Sequence, residues 1–263
     1  MQTARRMNST QMEIVAPSLM PDLGKTAFLL DIDGTIVDIA PTPPQVRVPQ
    51  SLRRTLSRLN RRTGGALALV SGRSLEDIDR LFDPLRLTAV GGHGAEFRLL
   101  GGTRLVSRDA TPLDAELRRQ LVAIAGGGVL VEDKGYAVAL HYRLAPEKEA
   151  LVRQAVAKIC NAPWEEPLEV MPGKAVVEVK HADYTKATGV RELMEHPPFA
   201  GRRPIFIGDD TTDESVFAIM PELDGLAISV GRTVAGVPHH FDTPASVRGW
   251  LERIAPAAEN VSP

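Results

Sequence analysis

With 263 residues, the chain is long enough for one large domain or two small ones, each with a buried core. Its 31 lysines and arginines nearly balance its 33 aspartates and glutamates, which excludes a strongly basic surface for nucleic acid. The single cysteine, Cys160, excludes an internal disulfide and a cysteine-based zinc site, and no apolar run reaches the length of a membrane-spanning helix. We expect a cytoplasmic monomer with neither nucleic acid nor a membrane as a partner.

Residues 1–25 contain no continuous apolar segment of the kind found in secretory signals, so we interpret them as a loosely held N-terminal tail. The apolar stretch TAFLL follows and leads directly into the carboxylates of Asp31 and Asp33. Like charges repel at this spacing, and a carboxylate held away from water is costly unless a positive group meets it. Taken alone, the pattern is equally that of a strand that ends in a polar turn at Gly34 and Thr35.

Two later segments repeat this order of an apolar strand, polar residues and a helix. In the first of them, ALALV precedes Ser71 and Arg73, and Ser74 has the position of a helix N-cap with Asp77 three residues later. In the other, IFI precedes the acidic stretch Asp209–Glu214. Apolar strands that alternate with helices are typical of a parallel sheet covered on both faces, where ligands bind beyond the carboxyl ends of the strands. The pattern therefore predicts an α/β fold with a Rossmann-like parallel sheet that brings the three polar clusters together.

Over residues 106–181 the order of elements changes to helix, strand, strand, and this order occurs twice. TPLDAELRRQLVAIAGGG is typical of a helix with Thr111 as its N-cap and Pro112 at its first position. The alternating stretches GVLVE and YAVALHYR follow as strands, and a second helix and two further strands complete the segment. This change of order predicts a separate α+β domain, inserted into a core formed by residues 26–105 and 182–263.

The carboxylates that follow the first and third strands indicate a hard cation. Asp31 and Asp33 meet the acids of Asp209–Glu214 with no histidine or cysteine nearby, and oxygen ligands of this kind suit Mg²⁺. An ionised carboxylate beside such a cation is a competent nucleophile at neutral pH, and a phosphoryl group is its natural electrophile. Ser71 is then placed to bind a phosphate oxygen, and Lys186, at the start of a helix, to pair with both nucleophile and phosphate.

The ordered set of motifs resembles the haloacid dehalogenase superfamily: DIDGT, SGR, a lysine that opens a late helix, and GDDTTDE. GDDTTDE, together with GGHGAEFR, EDKGYAVALHYR and MPGKAVVEVK, is similar to the trehalose-6-phosphate phosphatase family of that superfamily, from Phe28 to about residue 230. The resemblance implies a hydrolase core with an inserted cap domain. It also implies the hydrolysis of a sugar phosphate, trehalose 6-phosphate, to trehalose and inorganic phosphate, the last step of trehalose biosynthesis.

The resemblance further implies roles for individual residues. Asp31 is the expected nucleophile, which forms an aspartyl-phosphate, and Asp33 is the expected acid that protonates the leaving sugar hydroxyl and then activates water. Mg²⁺ is expected on Asp31, on the backbone carbonyl of Asp33 and on Asp209, while Asp210 and Asp213 either support the metal or orient Lys186. The expected catalytic set is Asp31, Asp33, Ser71 and Lys186.

Charged residues fall at alternate positions on the strands of the inserted domain and so share one face, as Glu132 and Lys134 do, while Val138 and Leu140 share an apolar face. A solvated face with incidental charges is the plain interpretation, but the resemblance favours a face that orients the hydroxyls of a sugar. With two loop residues of the core, the expected substrate-binding set is Arg73, His93, Glu132, Lys134, His141, Arg143, Lys174 and Glu178.

Other functions share part of this pattern. A capped phosphatase for another sugar phosphate, or a phosphomutase, has the same core motifs and differs in the cap. A signalling receiver domain also uses an aspartate phosphoacceptor, a lysine and Mg²⁺. Receivers are smaller and lack both the inserted domain and a second acid two residues after the phosphoacceptor, so Asp33 argues against that class.

Overall fold

The computed structural model describes residues 19–40, 45–100, 106–108, 111–173 and 175–257, and its strands form two sheets. The larger sheet has eight strands, which in chain order are β1 Thr26–Leu30, β2 Leu67–Val70, β3 Thr88–Gly91, β4 Glu96–Leu99, β5 Val106–Arg108, β10 Arg203–Gly208, β11 Leu226–Val230 and β12 His239–Phe241. The smaller sheet has four strands: β6 Leu130–Asp133, β7 Ala137–His141, β8 Leu168–Gly173 and β9 Val176–His181.

Helices cover both faces of the larger sheet because its central strand is apolar on both sides. Phe28 and Leu30 of β1 pack with the helices of one face, and Ala27 and Leu29 pack with those of the other. The helices of the first face are α1 Gln50–Arg62, α2 Leu75–Phe82 and α7 Pro244–Ile254, and those of the second are α5 Lys186–Met194 and α6 Glu214–Ile219. The helices on the smaller sheet are α3 Ala115–Val122 and α4 Glu149–Cys160.

The strand order of the larger sheet, β12–β11–β10–β1–β2–β3–β4–β5, places the site. The strands from β12 to β3 are parallel, whereas β4 and β5 extend the sheet antiparallel. The chain moves from β1 towards β2 on one side and later returns to β10 on the other, so β1 borders a topological switch point, where ligands bind in this class of fold. The predicted α/β class with a Rossmann-like core is confirmed.

The smaller sheet is antiparallel, in the order β6–β7–β9–β8. Val138 and Leu140 pack with α3 and α4, as the alternation of the sequence predicts. Ala139 is paired with Glu132 on one side and with Glu178 on the other, so these two acids lie on one face of the sheet. The face opposite the helices therefore carries the charged residues.

The structure differs from the sequence prediction just before the expected insertion's first helix and at the start of that helix. Strand β5, at the predicted boundary of residue 106, is paired with β4 in the core sheet. Asp114, not Thr111, is the N-cap of α3, because its carboxylate accepts the amides of Glu116 and Leu117 at 2.8 and 3.0 Å. The amide of Thr111 instead donates to the Tyr184 hydroxyl at 2.8 Å, which ties together the two connections between the sheets.

The predicted N-terminal tail also requires a correction at its end. Residues 1–18 lie outside the described residues, but Leu19 and Leu23 pack against the core, and Nε1 of Trp250 donates to the Leu19 carbonyl at 2.8 Å. Lys174, between β8 and β9, likewise lies outside the described residues. Across the described ranges, none of the helices combines the length and the apolar character needed to cross a membrane.

Candidate active site

The carboxyl end of β1 holds a buried ion pair. Asp31 and Lys186 are each only 4% exposed, and Lys186 Nζ donates to Asp31 Oδ1 at 2.8 Å. The other carboxylate oxygen, Oδ2, accepts the Thr35 hydroxyl at 2.9 Å. Lys186 is the first residue of α5, whose N-cap Thr185 forms a capping box with Thr188, and this cap fixes where the lysine leaves the helix.

The loop after β10 brings two further acids to Asp31. Asp209 Oδ1 accepts the same Thr35 hydroxyl at 3.0 Å, so one threonine links the two strand ends. Asp213 is fully buried: its Oδ1 accepts from Lys186 Nζ at 2.7 Å, and its Oδ2 accepts the amides of Asp209 and Asp210 at 2.9 and 3.0 Å. Asp213 therefore orients both the lysine and the loop.

The three acids Asp31, Asp209 and Asp213 are close enough to hold a cation, with one oxygen of each within 4.8 Å of the others. Burial, and then the charge of Asp213, raises the pKa of Asp31 well above its usual range, and the same two causes raise the pKa of Asp209. Burial lowers the pKa of Lys186, but the two carboxylates that it contacts raise it by more. The net pKa is therefore above the usual value, and the lysine stays charged. One lysine thus leaves excess negative charge, which a hard cation would compensate.

The space for this cluster depends on Gly34. Its φ of +80° lies in the region that glycine adopts without strain, and a Cβ at this position would overlap the Asp209 carboxylate. The turn that follows Asp33 therefore reverses the chain and also leaves room for Asp209, at the end of β10, to lie close to it. Asp31 and Asp209 each bring a carboxylate oxygen into this cluster, and such oxygens fit the donor set of Mg²⁺.

Asp33 lies at the edge of the cluster and is bound by Arg73. Arg73 Nε donates to Asp33 Oδ2 at 2.6 Å, and Nη2 donates to Oδ1 at 2.7 Å. Arg73 follows β2, where Ser71 is buried and its hydroxyl accepts the amide of Arg73 at 3.2 Å. The polar residues that follow β2 are therefore in direct contact with those that follow β1.

His93 packs beside the same turn in a conformation that costs energy. Its φ of +56° is left-handed, and its ring occupies the space that a Cβ at Gly72 would fill. Burial, followed by the charges of Lys186 and Lys134, lowers the pKa of His93 to about 3, so the ring is neutral at physiological pH. Among the described residues its Nδ1 is buried without a hydrogen-bond partner, which leaves a polar atom available beside the cavity.

The charged face of the smaller sheet is organised into two pairs. Lys134 Nζ lies 3.1 Å from Glu178 Oε1, and both side chains are 14% exposed. His141 Nε2 lies 3.3 Å from Glu132 Oε2, and this hydrogen bond, assisted by the charge of Lys134, lowers the pKa of Glu132. The Lys134–Glu178 pair is thus partly buried, whereas Glu132 of the second pair is exposed. Charge-assisted hydrogen bonds of this kind fix the orientation of the side chains that form them.

One cavity of about 770 Å³ connects the two sheets. The residues of the sequence prediction that line it are Asp31, Asp33, Ser71, Arg73, His93, Glu132, Lys134, His141, Arg143, Lys186 and Asp209. Glu178 and Asp213 do not line it, but each contacts a lysine that does. Lys174 cannot be placed because it lies outside the described residues.

The sequence predicted no functional role for Thr35 and Thr212. Thr35, the last residue of DIDGT, had a visible signal, because its position after Gly34 invites a hydrogen bond back to the acids. Thr212 lines the cavity from the loop after β10 together with Asp210, whose expected part in supporting the metal or orienting Lys186 stays a prediction.

Comparisons with known proteins agree with this geometry. The sequence profile of the family described as trehalose-phosphatase matches residues 29–244. A probable trehalose-phosphate phosphatase from Sinorhizobium fredii is 45% identical over 247 residues, which cover 90% of this chain and 91% of the relative. The trehalose-6-phosphate phosphatase of Escherichia coli is 37% identical over 242 residues, which cover 91% of this chain and 90% of the relative.

A solved structure supports the fold. The C-terminal domain of trehalose-6-phosphate phosphatase from C. albicans superposes with a TM-score of 0.71 at 22% identity, and the match covers 88% of this chain and 92% of that domain. At this identity the likeness establishes the architecture, whereas the sequence relatives and the matched profile establish the lineage. The chain belongs to the trehalose-phosphatase family.

Proposed function

We propose that the protein hydrolyses trehalose 6-phosphate to trehalose and inorganic phosphate. The observation that carries this proposal is the cavity, which has the buried Asp31–Lys186 pair at one end and the paired charges of the smaller sheet at the other. The first end suits a phosphoryl group and the second suits a sugar rich in hydroxyls. The names of the family and of its relatives in S. fredii and E. coli support the choice of sugar.

In the first step, an oxygen of Asp31 attacks phosphorus. The bond between phosphorus and the sugar oxygen breaks, and Asp33 gives a proton to that oxygen as it leaves, so trehalose departs as the neutral alcohol. Lys186 and Thr35 hold the Asp31 carboxylate in place, because each donates to a different oxygen of it. Ser71 and Lys186 line the cavity where the phosphoryl oxygens would lie.

In the second step, water attacks the phosphorus of the aspartyl-phosphate. Asp33 takes a proton from this water, the bond between phosphorus and Asp31 breaks, and inorganic phosphate is released. The two aspartates return to their starting protonation states. Arg73 donates to both carboxylate oxygens of Asp33 and so holds this acid at the edge of the cavity between the two steps.

The metal site in this proposal consists of Asp31, Asp209 and the backbone carbonyl of Asp33, with Mg²⁺ as the cofactor. Mg²⁺, when bound, neutralises charge on the phosphoryl group and reduces its repulsion from the attacking carboxylate. Asp213, which the sequence placed among the metal residues, has both oxygens engaged by amides and Lys186, and we assign it to the support of this site.

The proposal includes a cap domain, which covers the active site of the core. We take it to be the smaller sheet with α3 and α4, close to the expected residues 106–181 except that β5 belongs to the core. Its face opposite the helices supplies Glu132, Lys134, His141 and Arg143 to the cavity. We expect these groups to orient the sugar while the core performs the chemistry.

A panel of substrates tests the proposal. Phosphate release is measured for trehalose 6-phosphate, glucose 6-phosphate, other sugar phosphates and p-nitrophenyl phosphate, each with Mg²⁺ and with EDTA. The highest kcat/KM is expected for trehalose 6-phosphate, with no turnover in EDTA. A higher kcat/KM for another sugar phosphate would identify that compound as the substrate instead. Retention of the phosphate by the sugar product would favour a phosphomutase.

Two variants test the chemistry separately from the substrate. Asp31→Asn should abolish phosphate release with every substrate while circular dichroism shows an intact fold. Asp33→Asn should slow turnover by roughly 10²–10⁴-fold, the usual effect of losing a general acid–base. Mass spectrometry of the quenched Asp33→Asn protein should detect a phosphorylated peptide that contains Asp31. Turnover by Asp31→Asn would remove that residue as the nucleophile.

A further inference from the structure

The loop that carries Asp209 and Asp213 is held at both ends by one side chain. Arg232 Nε donates to the backbone carbonyl of Asp209 at 2.7 Å, and Nη1 lies 2.8 Å from Glu214 Oε1. Asp209 is the first residue of the loop after β10, and Glu214 is the first residue of α6. A single guanidinium therefore spans the segment that contains two of the three clustered acids.

The position of Arg232 follows from the sheet. Strand β11 runs parallel to β10 with Ser229 opposite Gly208, so the two strands end side by side. Gly231 then turns the chain with a φ of +70°, and its amide donates to the Phe241 carbonyl at 2.8 Å. This turn sends Arg232 back across the end of β10, and its Nη2 is buried without a hydrogen-bond partner among the described residues.

The hydrogen bond from Arg232 to the backbone carbonyl of Asp209 leaves the carboxylate of Asp209 available. Arg232 contacts the main chain of Asp209 and not its carboxylate, whose Oδ1 accepts from Thr35. Inside the loop, the amide of Asp209 is fixed by Asp213. The residue is thus held through its amide by one partner and through its carbonyl by another, while its carboxylate remains available as a ligand.

We propose that Arg232 is a positioning residue for the metal site, which sets the Asp209 carboxylate at the place where Mg²⁺ binds. This inference rests on the metal site of the proposed function. Groups that orient metal ligands without touching the metal commonly change metal affinity or activity by roughly 10–100-fold when they are removed. No separate role for Glu214 follows from the sequence alone, and this arrangement assigns it one as the second residue that holds the Arg232 guanidinium.

The test is direct Mg²⁺ binding to the substrate-free protein, measured by titration calorimetry, together with the Mg²⁺ dependence of phosphate release. Arg232→Ala is expected to raise the Mg²⁺ dissociation constant about tenfold or more. At saturating Mg²⁺, its KM for trehalose 6-phosphate should equal that of the wild type, since the arginine touches no substrate. Arg232→Lys keeps the charge but lacks the fork of donors, so we expect it to restore only part of the affinity.

Arg203 supplies a matched control at the opposite end of β10. Its Nε donates to the backbone carbonyl of Asp224 at 2.7 Å, the same kind of bond far from the acids. Arg203→Ala should leave Mg²⁺ affinity unchanged, and thermal melting of all variants in EDTA establishes that they are folded. An equal loss of affinity in Arg203→Ala would show a general effect on the sheet and overturn the inference.

The remaining outcomes separate this inference from the function on which it rests. A wild-type protein that binds no Mg²⁺ would overturn the metal site, and the role of Arg232 with it. Binding by the wild type with equal affinity in Arg232→Ala would overturn the role of Arg232 alone. Tighter binding in Arg232→Ala would show that its charge repels the cation more than its bonds orient the ligand, which also contradicts the inference.

Discussion

Arg73 grips both carboxylate oxygens of Asp33, at 2.6 and 2.7 Å, in the parallel geometry that guanidinium and carboxylate groups favour. The pair joins the end of β2 to the end of β1 and lies on the wall of the cavity. A proposed acid–base residue is thereby fixed in orientation before substrate arrives. Arg73 lines the same cavity as Asp31 and Lys186, so we expect it to contact both the proposed acid and the substrate.

We predict that Arg73→Met lowers kcat/KM for trehalose 6-phosphate by about thirty- to a hundredfold. The reason is the loss of a charge-assisted contact worth about 2–3 kcal/mol. Arg73→Lys should recover only part of the loss, because an ammonium group cannot make both parallel bonds. Steady-state phosphate release measures both. Arg80→Met, on the helix that follows Arg73, is the control, since the pairs that Arg80 forms with Glu76 and Asp77 are exposed. Near-normal kinetics of Arg73→Met would identify the pair with Asp33 as structural.

Much of the site follows from local sequence rules. The apolar stretch before Asp31 has the length and composition of a buried strand, and Ser74 caps α2 through its bond with the amide of Asp77, as the spacing predicts. Parallel strands end at one edge of a sheet, so Asp31, Ser71 and Asp209 had to meet once the strands were recognised. Local pattern and general topology suffice for these residues.

Other features depend on contacts that no local rule specifies. The left-handed conformation of His93 is set by the packing of its ring against Gly72, which is distant in the sequence. Asp114 caps α3 in place of Thr111 because the preceding residues are drawn towards Tyr184 on the other connection. The same is true of Arg232, whose partners are the first residue of the loop after β10 and the first residue of α6.

We predict that Lys186→Met abolishes turnover and lowers the free energy of unfolding by about 3 kcal/mol or more in EDTA. The substitution leaves two buried carboxylates, on Asp31 and Asp213, without their shared cation, and breaking a buried pair in this way is strongly destabilising. Urea denaturation followed by circular dichroism measures the change. Mg²⁺ should restore part of the stability of the variant because it supplies positive charge to the same acids.

Lys25 offers the control for this substitution. Its pair with Asp22 spans 3.9 Å and both side chains are largely exposed, so Lys25→Met should change the free energy of unfolding by less than about 0.5 kcal/mol. Equal stability of Lys186→Met and the wild type would contradict the buried pair. A variant that is destabilised but turns over normally would place Lys186 outside the catalytic set.

We predict that Mg²⁺ affinity rises with pH and then levels off. Burial, followed by the charge of Asp213, raises the pKa of Asp31 and of Asp209, so the metal-free site retains a proton above the pH at which an exposed aspartate loses it. Mg²⁺ requires the ionised carboxylates and must displace that proton. Above the raised pKa values, the Mg²⁺ affinity should stay constant. Below them, for each proton that Mg²⁺ must displace, the affinity should fall by up to about tenfold for every pH unit.

Calorimetry in buffers of different ionisation enthalpy measures the protons released on binding. Release is expected at low pH and should disappear on the plateau. In Asp209→Asn, which lacks one of the raised groups, binding should be weaker and should release fewer protons. Affinity that is independent of pH from the acidic range upwards, with no proton release, would mean that these carboxylates are ionised before the metal arrives.

The last prediction concerns the cap, which carries the choice of substrate. Lys134 lines the cavity and is held by Glu178, so Lys134→Ala removes a sugar contact and Glu178→Ala removes the support of that contact. Contacts with the distal part of a substrate are used to align its reacting group, and a small aryl phosphate makes none of them. Both variants should therefore lower kcat/KM for trehalose 6-phosphate by about thirty- to a hundredfold and largely spare p-nitrophenyl phosphate.

Lys158 is the control within the cap, because it is exposed on α4, on the side of the sheet away from the cavity. Lys158→Ala should leave both substrates unchanged. The comparison with the aryl phosphate separates recognition from chemistry, since a damaged core would slow both substrates in parallel. A parallel loss in Lys134→Ala, or no loss, would make the charged face structural. The sugar would then have to be recognised by core residues of the cavity, and His93, whose Nδ1 has no hydrogen-bond partner among the described residues, is the next residue to test.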